Sequence, residues 1–316
     1  MNKKLIKLPN GRVLQYRQDP MARHLPSDNA EDASPVPSSL FQGGDTHHGG
    51  AASASNAPHN RVLNMQLLDQ MEVLVLGAGA VGSYVAYFLA TAAGMIIHLV
   101  DFDVVEHKHT QGGRTIYQPG QAHQKKVYAA KQRVEHDHPN SCVRPYPYNV
   151  MDMSDGFLCR LARRVALVIN AIDYAPAMLR VNDLLYWLTE VLYVALHPGA
   201  ASGHVILTVP YASACLRCSL DIASPGDIQT LHAEPGLGVD IRLIANHAAT
   251  LALEIMFSKA TARPIERWDI TKNIFYFSNR REQLSPDGPG VHLQRAEKRQ
   301  GCPICSVAPN NLFLRS

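Results

Sequence analysis

Residues 73–100 contain no Asp, Glu, Lys or Arg, and this uncharged run constrains the fold more than any other feature of the chain. It exceeds the roughly 20 apolar residues that a membrane-spanning helix needs. Gly77, Gly79 and Gly82 interrupt its first third, however, and Asp101 and Asp103 follow it. A strand, a glycine turn, a helix and a second strand give the same pattern when buried on both faces of a parallel sheet. Leu76-Gly77-Ala78-Gly79-Ala80-Val81-Gly82 fits GxGxxG, after an apolar strand at Val73–Leu76 and before a helix at Gly82–Ala93. The first glycine permits the tight turn, the second lets the backbone approach a phosphate, and the third lets helix and strand pack closely. The helix N-terminus adds unpaired N–H groups and a positive dipole. A second strand, Met95–Val100, ends at Asp101, where an acidic residue accepts hydrogen bonds from a ribose. These features predict a nucleotide site without separating ATP from a dinucleotide.

Beyond Asp101 the pattern alternates. Helices are predicted at Gln124–Val134, Phe157–Arg164, Ala175–Thr189 and Val239–Phe257, and extended segments at Ser141–Val150, Val165–Ala171, Val191–Leu196 and His204–Val209. Alternating strands and helices predict an α/β fold: a Rossmann-like, doubly wound, mostly parallel sheet with helices on both faces.

The 316 residues and 46% hydrophobic content supply a substantial core. A net charge of +3 gives no basic field of the kind nucleic-acid binders use. The first residues, Met1–Lys7, are basic but lead into Leu8-Pro9-Asn10-Gly11 rather than an apolar signal segment. The expectation is a cytoplasmic protein that binds neither nucleic acid nor membrane. Three parts are predicted: a small hairpin segment at 1–20 around the Asn10-Gly11 turn, a Ser/Ala/Pro/Gly-rich flexible linker at 21–60, and a nucleotide-binding domain at 61–310.

Six cysteines are too few for a disulfide scaffold, but four fall in two CxxC knuckles, Cys215/Cys218 and Cys302/Cys305. Four thiolates suit a tetrahedral Zn²⁺ and leave no open position for substrate, so the expected metal is structural. The other two, Cys142 and Cys159, are read as core residues.

A glycine turn, then Asp101-Phe102-Asp103-Val104-Val105-Glu106, Lys125, Ala171-Ile172-Asp173 and two CxxC pairs together resemble the ThiF/MoeB/HesA family, bacterial relatives of ubiquitin-activating enzymes. The resemblance covers roughly residues 61–305. It implies a domain that uses ATP and Mg²⁺ to adenylate the C-terminal carboxylate of a ubiquitin-like or sulfur-carrier protein, commonly ending in Gly-Gly, or of a peptide. By motif, Gly77, Gly79 and Gly82 would form the nucleotide turn, with Asp101 on the ribose and Asp103 beside it. Lys125 would contact the phosphates, with Lys126 its neighbour and rival, and Asp173 would hold the catalytic Mg²⁺. Arg180 and Asn182 resemble the helix that follows this aspartate. A homodimer is expected.

The chain departs from the family in three places. The phosphate-binding arginine is matched only by Arg114, displaced by two positions behind Gly112-Gly113. No cysteine lies between Cys218 and Cys302 to accept an acyl group as a thioester. Arg61, preceding a helical-looking Val62–Met71, is a poor match for an arginine that some members insert into a partner's site. His107 and His109, alternating in a polar loop, read as solvated. Two other readings stay open: a nucleotide-binding scaffold for a ubiquitin-like protein without catalysis, and an NAD-dependent oxidoreductase.

Overall fold

The computed structural model describes residues 3–7, 13–17, 65–197, 199–222, 236–262, 265, 269, 271–281 and 285–306. The linker expected at 21–60 and Arg61 lie outside the described residues. Near the start, β1 (Lys3–Lys7) pairs antiparallel with β2 (Val13–Arg17), Lys3 opposite Arg17. Of the helix expected at Val62–Met71, the described part is one 3-10 turn, Met65–Leu68.

The uncharged run folds as a strand, a turn, a helix and a strand. β3 (Glu72–Leu76) leads through the glycine turn into α1 (Ala80–Ala92) and on to β4 (Ile96–Val100). Successive residues of β3 face opposite sides: Val73 and Val75 join one core cluster, Leu74 and Leu76 the other. A strand buried on both faces needs no polar residue, which is why no charge interrupts it.

The remaining elements are α2 (Lys126–Asp137), β5 (Cys142–Tyr146), α3 (Asp155–Arg164), β6 (Leu167–Asn170), α4 (Ala175–Leu185), β7 (Val191–Leu196), β8 (Ser202–Thr208), a short α5 (Leu216–Ser219), α6 (Gly238–Thr261), β9 (Ile274–Ser278) and β10 (Gly290–Gln294). One eight-stranded sheet has the order β10-β9-β8-β7-β6-β3-β4-β5. From β5 to β7 the strands are parallel. β8, β9 and β10 then extend the sheet by antiparallel pairing. The doubly wound parallel half is thus as expected, and the antiparallel half extends it. β9 and β10 are not among the predicted strands, although Ile274-Phe275-Tyr276-Phe277 carries the β-branched and aromatic residues of a strand.

Helices α1, α2 and α6 contribute to one core cluster, and α3 and α4 to the other. Among the described residues no helix is long and apolar enough to cross a membrane. Cys142, expected in the core, is exposed at the start of the edge strand β5, because alternation turns Val143 inward instead. Cys159 is partly buried against the second cluster.

Candidate functional site

The order β6-β3-β4 reverses the chain's direction of travel across the sheet beside β3. At such a switch point, the carboxyl ends of neighbouring strands open a crevice that binds ligands in open α/β sheets. Three loops leave that edge: the glycine turn after β3, the Asp101–Glu106 segment after β4, and the Ala171–Tyr174 segment after β6.

Gly77 has φ +93°, and a Cβ there would stand 2.8 Å from Ala171 O. Only glycine fits both demands. Gly82 lies on the opposite wall of the turn, where a Cβ would meet Gly77 O at 1.9 Å. Gly79 faces open space, with nothing within 4 Å of a built Cβ. It is also the N-cap of α1 and provides no side-chain cap. No side chain therefore caps the first turn of α1, and its leading N–H groups stay available to a ligand.

Asp101 is held by this turn. Its Oδ2 accepts from Ala78 N at 2.7 Å and its Oδ1 from Asp103 N at 2.8 Å. Burial raises its carboxyl above the ordinary carboxylate range, against the opposing pull of Lys126 and the two amides. Each oxygen retains a second lone pair for a hydroxyl donor.

The two candidate lysines separate sharply. Lys125 is exposed at the N-cap of α2, and its ammonium donates to Phe102 O at 2.6 Å. Lys126, only 6% exposed, turns inward and pairs with Asp103 Oδ2 at 2.8 Å. Asp103, expected at the nucleotide, therefore has one carboxylate oxygen engaged by Lys126.

Asp173 is exposed after β6, and among the described residues its carboxylate makes no hydrogen bond or ion pair. It is not a helix cap: Tyr174 occupies the N-cap of α4. A free carboxylate at this edge fits Mg²⁺, which takes one or two carboxylates, keeps several waters and completes its shell with substrate phosphates. The motif residues further along α4 are structural. Arg180 holds the carbonyls of Val150 and Met153 and pairs with Asp155, while Asn182 Oδ1 accepts from Leu216 N.

Arg114 is half-buried in the loop after β4, and its guanidinium makes no hydrogen bond or ion pair among the described residues. Sequence reasoning missed Tyr117, whose buried hydroxyl donates to Ala78 O at 2.6 Å and ties this loop to the glycine turn. His109 Nδ1 accepts from Glu106 N, a local loop contact.

The four knuckle cysteines meet at the opposite edge, beyond the end of β8. Their sulfurs all lie within 4.8 Å of one another and all four residues are buried. Cys215–Cys302 and Cys218–Cys305 are 3.7 and 3.5 Å apart, far beyond a disulfide bond. A tetrahedron with 2.3 Å Zn–S spokes has edges of about 3.75 Å, so the donor set fits zinc. Burial opposes ionisation of Cys302, but backbone N–H groups of Cys305 and Ile304 and neighbouring thiols bring it down to about 7. The cluster is anchored to α4 by Arg217, which forks onto Asp183 at 2.9 and 2.7 Å.

The sequence matches the ThiF family over residues 55–303. It is 29% identical over 194 residues to ubiquitin-like modifier-activating enzyme 5 of Caenorhabditis elegans, covering 55% of this chain and 46% of that protein. It is 25% identical over 277 residues to ubiquitin-like modifier-activating enzyme 5 of Oryza sativa subsp. japonica, covering 79% of this chain and 65% of that one. The chain thus spans about half to two thirds of the length of these relatives. Among solved structures, E. coli MccB with MccA-N7isoASN aligns with a TM-score of 0.61 at 15% identity, over 78% of this chain and 70% of that one. E. coli MccB with ATP aligns at 0.56 with 16% identity and the same coverage. At these identities the structural likeness establishes the fold.

Proposed function

The chain belongs to the ThiF family, and from that premise we propose that it uses ATP and Mg²⁺ to adenylate the C-terminal carboxylate of a ubiquitin-like or sulfur-carrier protein, or of a peptide. The observation that carries this reading is that a glycine turn open at Gly79, Asp101, Lys126 and the exposed Asp173 all follow the carboxyl ends of β3, β4 and β6 at one edge of the sheet. The named relatives act as ubiquitin-like modifier-activating enzymes, and the structural neighbours hold ATP or a peptide partner.

In the proposed reaction a carboxylate oxygen bonds to the α-phosphorus of ATP. The bond from that phosphorus to the oxygen bridging to the β-phosphate breaks, and pyrophosphate leaves. Two anions approach one another, so catalysis is positioning and charge neutralisation rather than nucleophilic help from the protein. The N–H groups of α1 and the open side of Gly79 receive phosphate oxygens, and Asp101 accepts from the ribose. The lysine pair and Arg114 answer the phosphate charge, and Asp173 would hold Mg²⁺. When bound, that ion screens the phosphates and stabilises the leaving pyrophosphate. Without a cysteine between the knuckles, the acyl-adenylate passes directly to a nucleophile from another molecule. Zinc on Cys215, Cys218, Cys302 and Cys305 is structural in this scheme, and the working unit is a cytoplasmic homodimer.

ATP–pyrophosphate exchange, assayed with proteins ending in Gly-Gly and with short peptides, tests the proposal. Exchange that depends on the acyl partner supports it. A self-satisfied Asp101 and a Lys126 already paired also suit a nucleotide-binding scaffold. ATP binding with no exchange for any partner would favour that second reading.

A further inference from the structure

Arg114 departs from the family spacing by two residues, and Gly112-Gly113 precede it. Both glycines are left-handed, with φ +64° and +62°. Two consecutive positions of this kind kink a loop tightly, and residues with a Cβ rarely adopt them. The kink is gripped from two helices.

From α1, Tyr84 Oη lies 2.7 Å from Gly113 O and 3.0 Å from Thr115 O. One hydroxyl proton is thus shared between the carbonyls flanking Arg114. From α6, Gly238 abuts the same kink: a Cβ there would stand 2.3 Å from Gly112 O and 2.5 Å from Gly113 O. Arg242, one helical turn on, has its guanidinium 5.6 Å from the Tyr84 ring centroid. It also fills the space beside Gly113, 2.1 Å from where a Cβ would be. On the other side of Arg114, Thr115 Oγ1 donates to His109 O and Tyr117 Oη to Ala78 O in the glycine turn. The backbone on both sides of Arg114 is fixed, while its own guanidinium makes no hydrogen bond or ion pair among the described residues.

We infer that Tyr84, Gly238 and Arg242 are positioning residues that clamp the Gly112-Gly113 kink and so return a displaced Arg114 to the phosphates. The clamp couples α6 to the arginine through direct backbone contact. This inference rests on the adenylation reading, because it presumes that Arg114 meets phosphate.

The experiment compares ATP and AMP binding by calorimetry in the full chain for Tyr84→Phe, Gly238→Ala, Arg114→Ala and the Tyr84→Phe/Arg114→Ala pair. Tyr84→Phe keeps the ring under Arg242 and removes only the hydroxyl, so ATP affinity should fall about five- to ten-fold while AMP affinity is unchanged. In the Arg114→Ala background the same change should cost nothing further. Gly238→Ala should reproduce the ATP-selective loss. Equal losses for ATP and AMP, or additive effects in the double variant, would mean that these residues only support the fold, and the clamp would be refuted. Failure of the unmodified chain to bind ATP at all would instead remove the adenylation reading, and the clamp with it. Should Gly238→Ala not fold, Tyr84→Phe decides alone.

Discussion

Among the described residues Asp173 has no partner to lose, so its replacement should separate chemistry from stability. Asp173→Asn is expected to abolish exchange while shifting unfolding by less than about 0.5 kcal/mol, as for exposed sites without special contacts. Robust exchange by this variant would remove the proposed Mg²⁺ site. The lysines give a second contrast. Lys126→Ala should weaken ATP binding at least ten-fold, and Lys125→Ala less than three-fold, because only Lys126 is buried against Asp103. The reverse order in a titration would restore Lys125 to the role that the family motif implies. Gly77, Asp101 and Asp173 were legible in the sequence because each sits where a strand ends, and strand ends are marked by the change from apolar to polar residues. The choice between Lys125 and Lys126 was not. It depends on the residue at which α2 begins, and one position there rotates a side chain by about 100°. Tyr117 and Tyr84 were hidden for another reason: their partners are carbonyls about 30 to 40 residues away, which no local pattern records.

The helices and strands carry their own tests. Gly82→Ala places a carbon against Gly77 O and should destabilise the chain by about 3 kcal/mol or more in urea unfolding. Gly79→Ala meets nothing and should cost at most about 1 kcal/mol of stability. It should nevertheless weaken ATP binding, since its methyl group projects into the open space proposed for the phosphates. Equal stability for both variants would contradict the turn geometry described above. On β8, His204 is held down to about 4 by burial and by the like charge of His197. Above the unfolded value of about 6.5 neither state takes up this proton, and the contribution to pH dependence vanishes. As pH falls from there toward 4, the unfolded chain gains a proton that the folded one refuses. Stability should therefore drop by roughly 3 kcal/mol across that window and level off below it. His204→Gln should flatten this part of the urea-midpoint profile relative to the unmodified chain, and an unchanged slope would refute the assignment. The parallel strands were readable from their apolar runs. The antiparallel strands β9 and β10 were not, because the partner that fixes β9 is β8, about 70 residues earlier in the chain, and β10 is in turn placed by its pairing with β9.

At the scale of the whole molecule, the sheet separates the proposed nucleotide site from the cysteine cluster by its two edges. The glycine turn, Asp101 and Asp173 lie at the carboxyl ends of β3, β4 and β6. β8 runs back from that edge, Gly203 opposite Leu196 and Thr208 opposite Val191, and delivers Cys215 to the far one. Zinc should be present at one per chain by atomic emission. Its removal by a strong chelator, or Cys215→Ser, should lower the melting temperature by several degrees. A metal-free chain of unchanged melting temperature would argue against the clasp. The CxxC spacing made this site legible in advance, whereas its distance from the nucleotide edge followed only from the reversal at β8. The thiols that meet there are 87 residues apart in sequence. During synthesis, the first knuckle leaves the ribosome long before its counterpart exists, so it can offer an ion only half a shell until Cys302 and Cys305 emerge. A prematurely terminated product would keep an unsealed pair of thiols on its surface, and zinc occupancy would then report whether translation had run past that point.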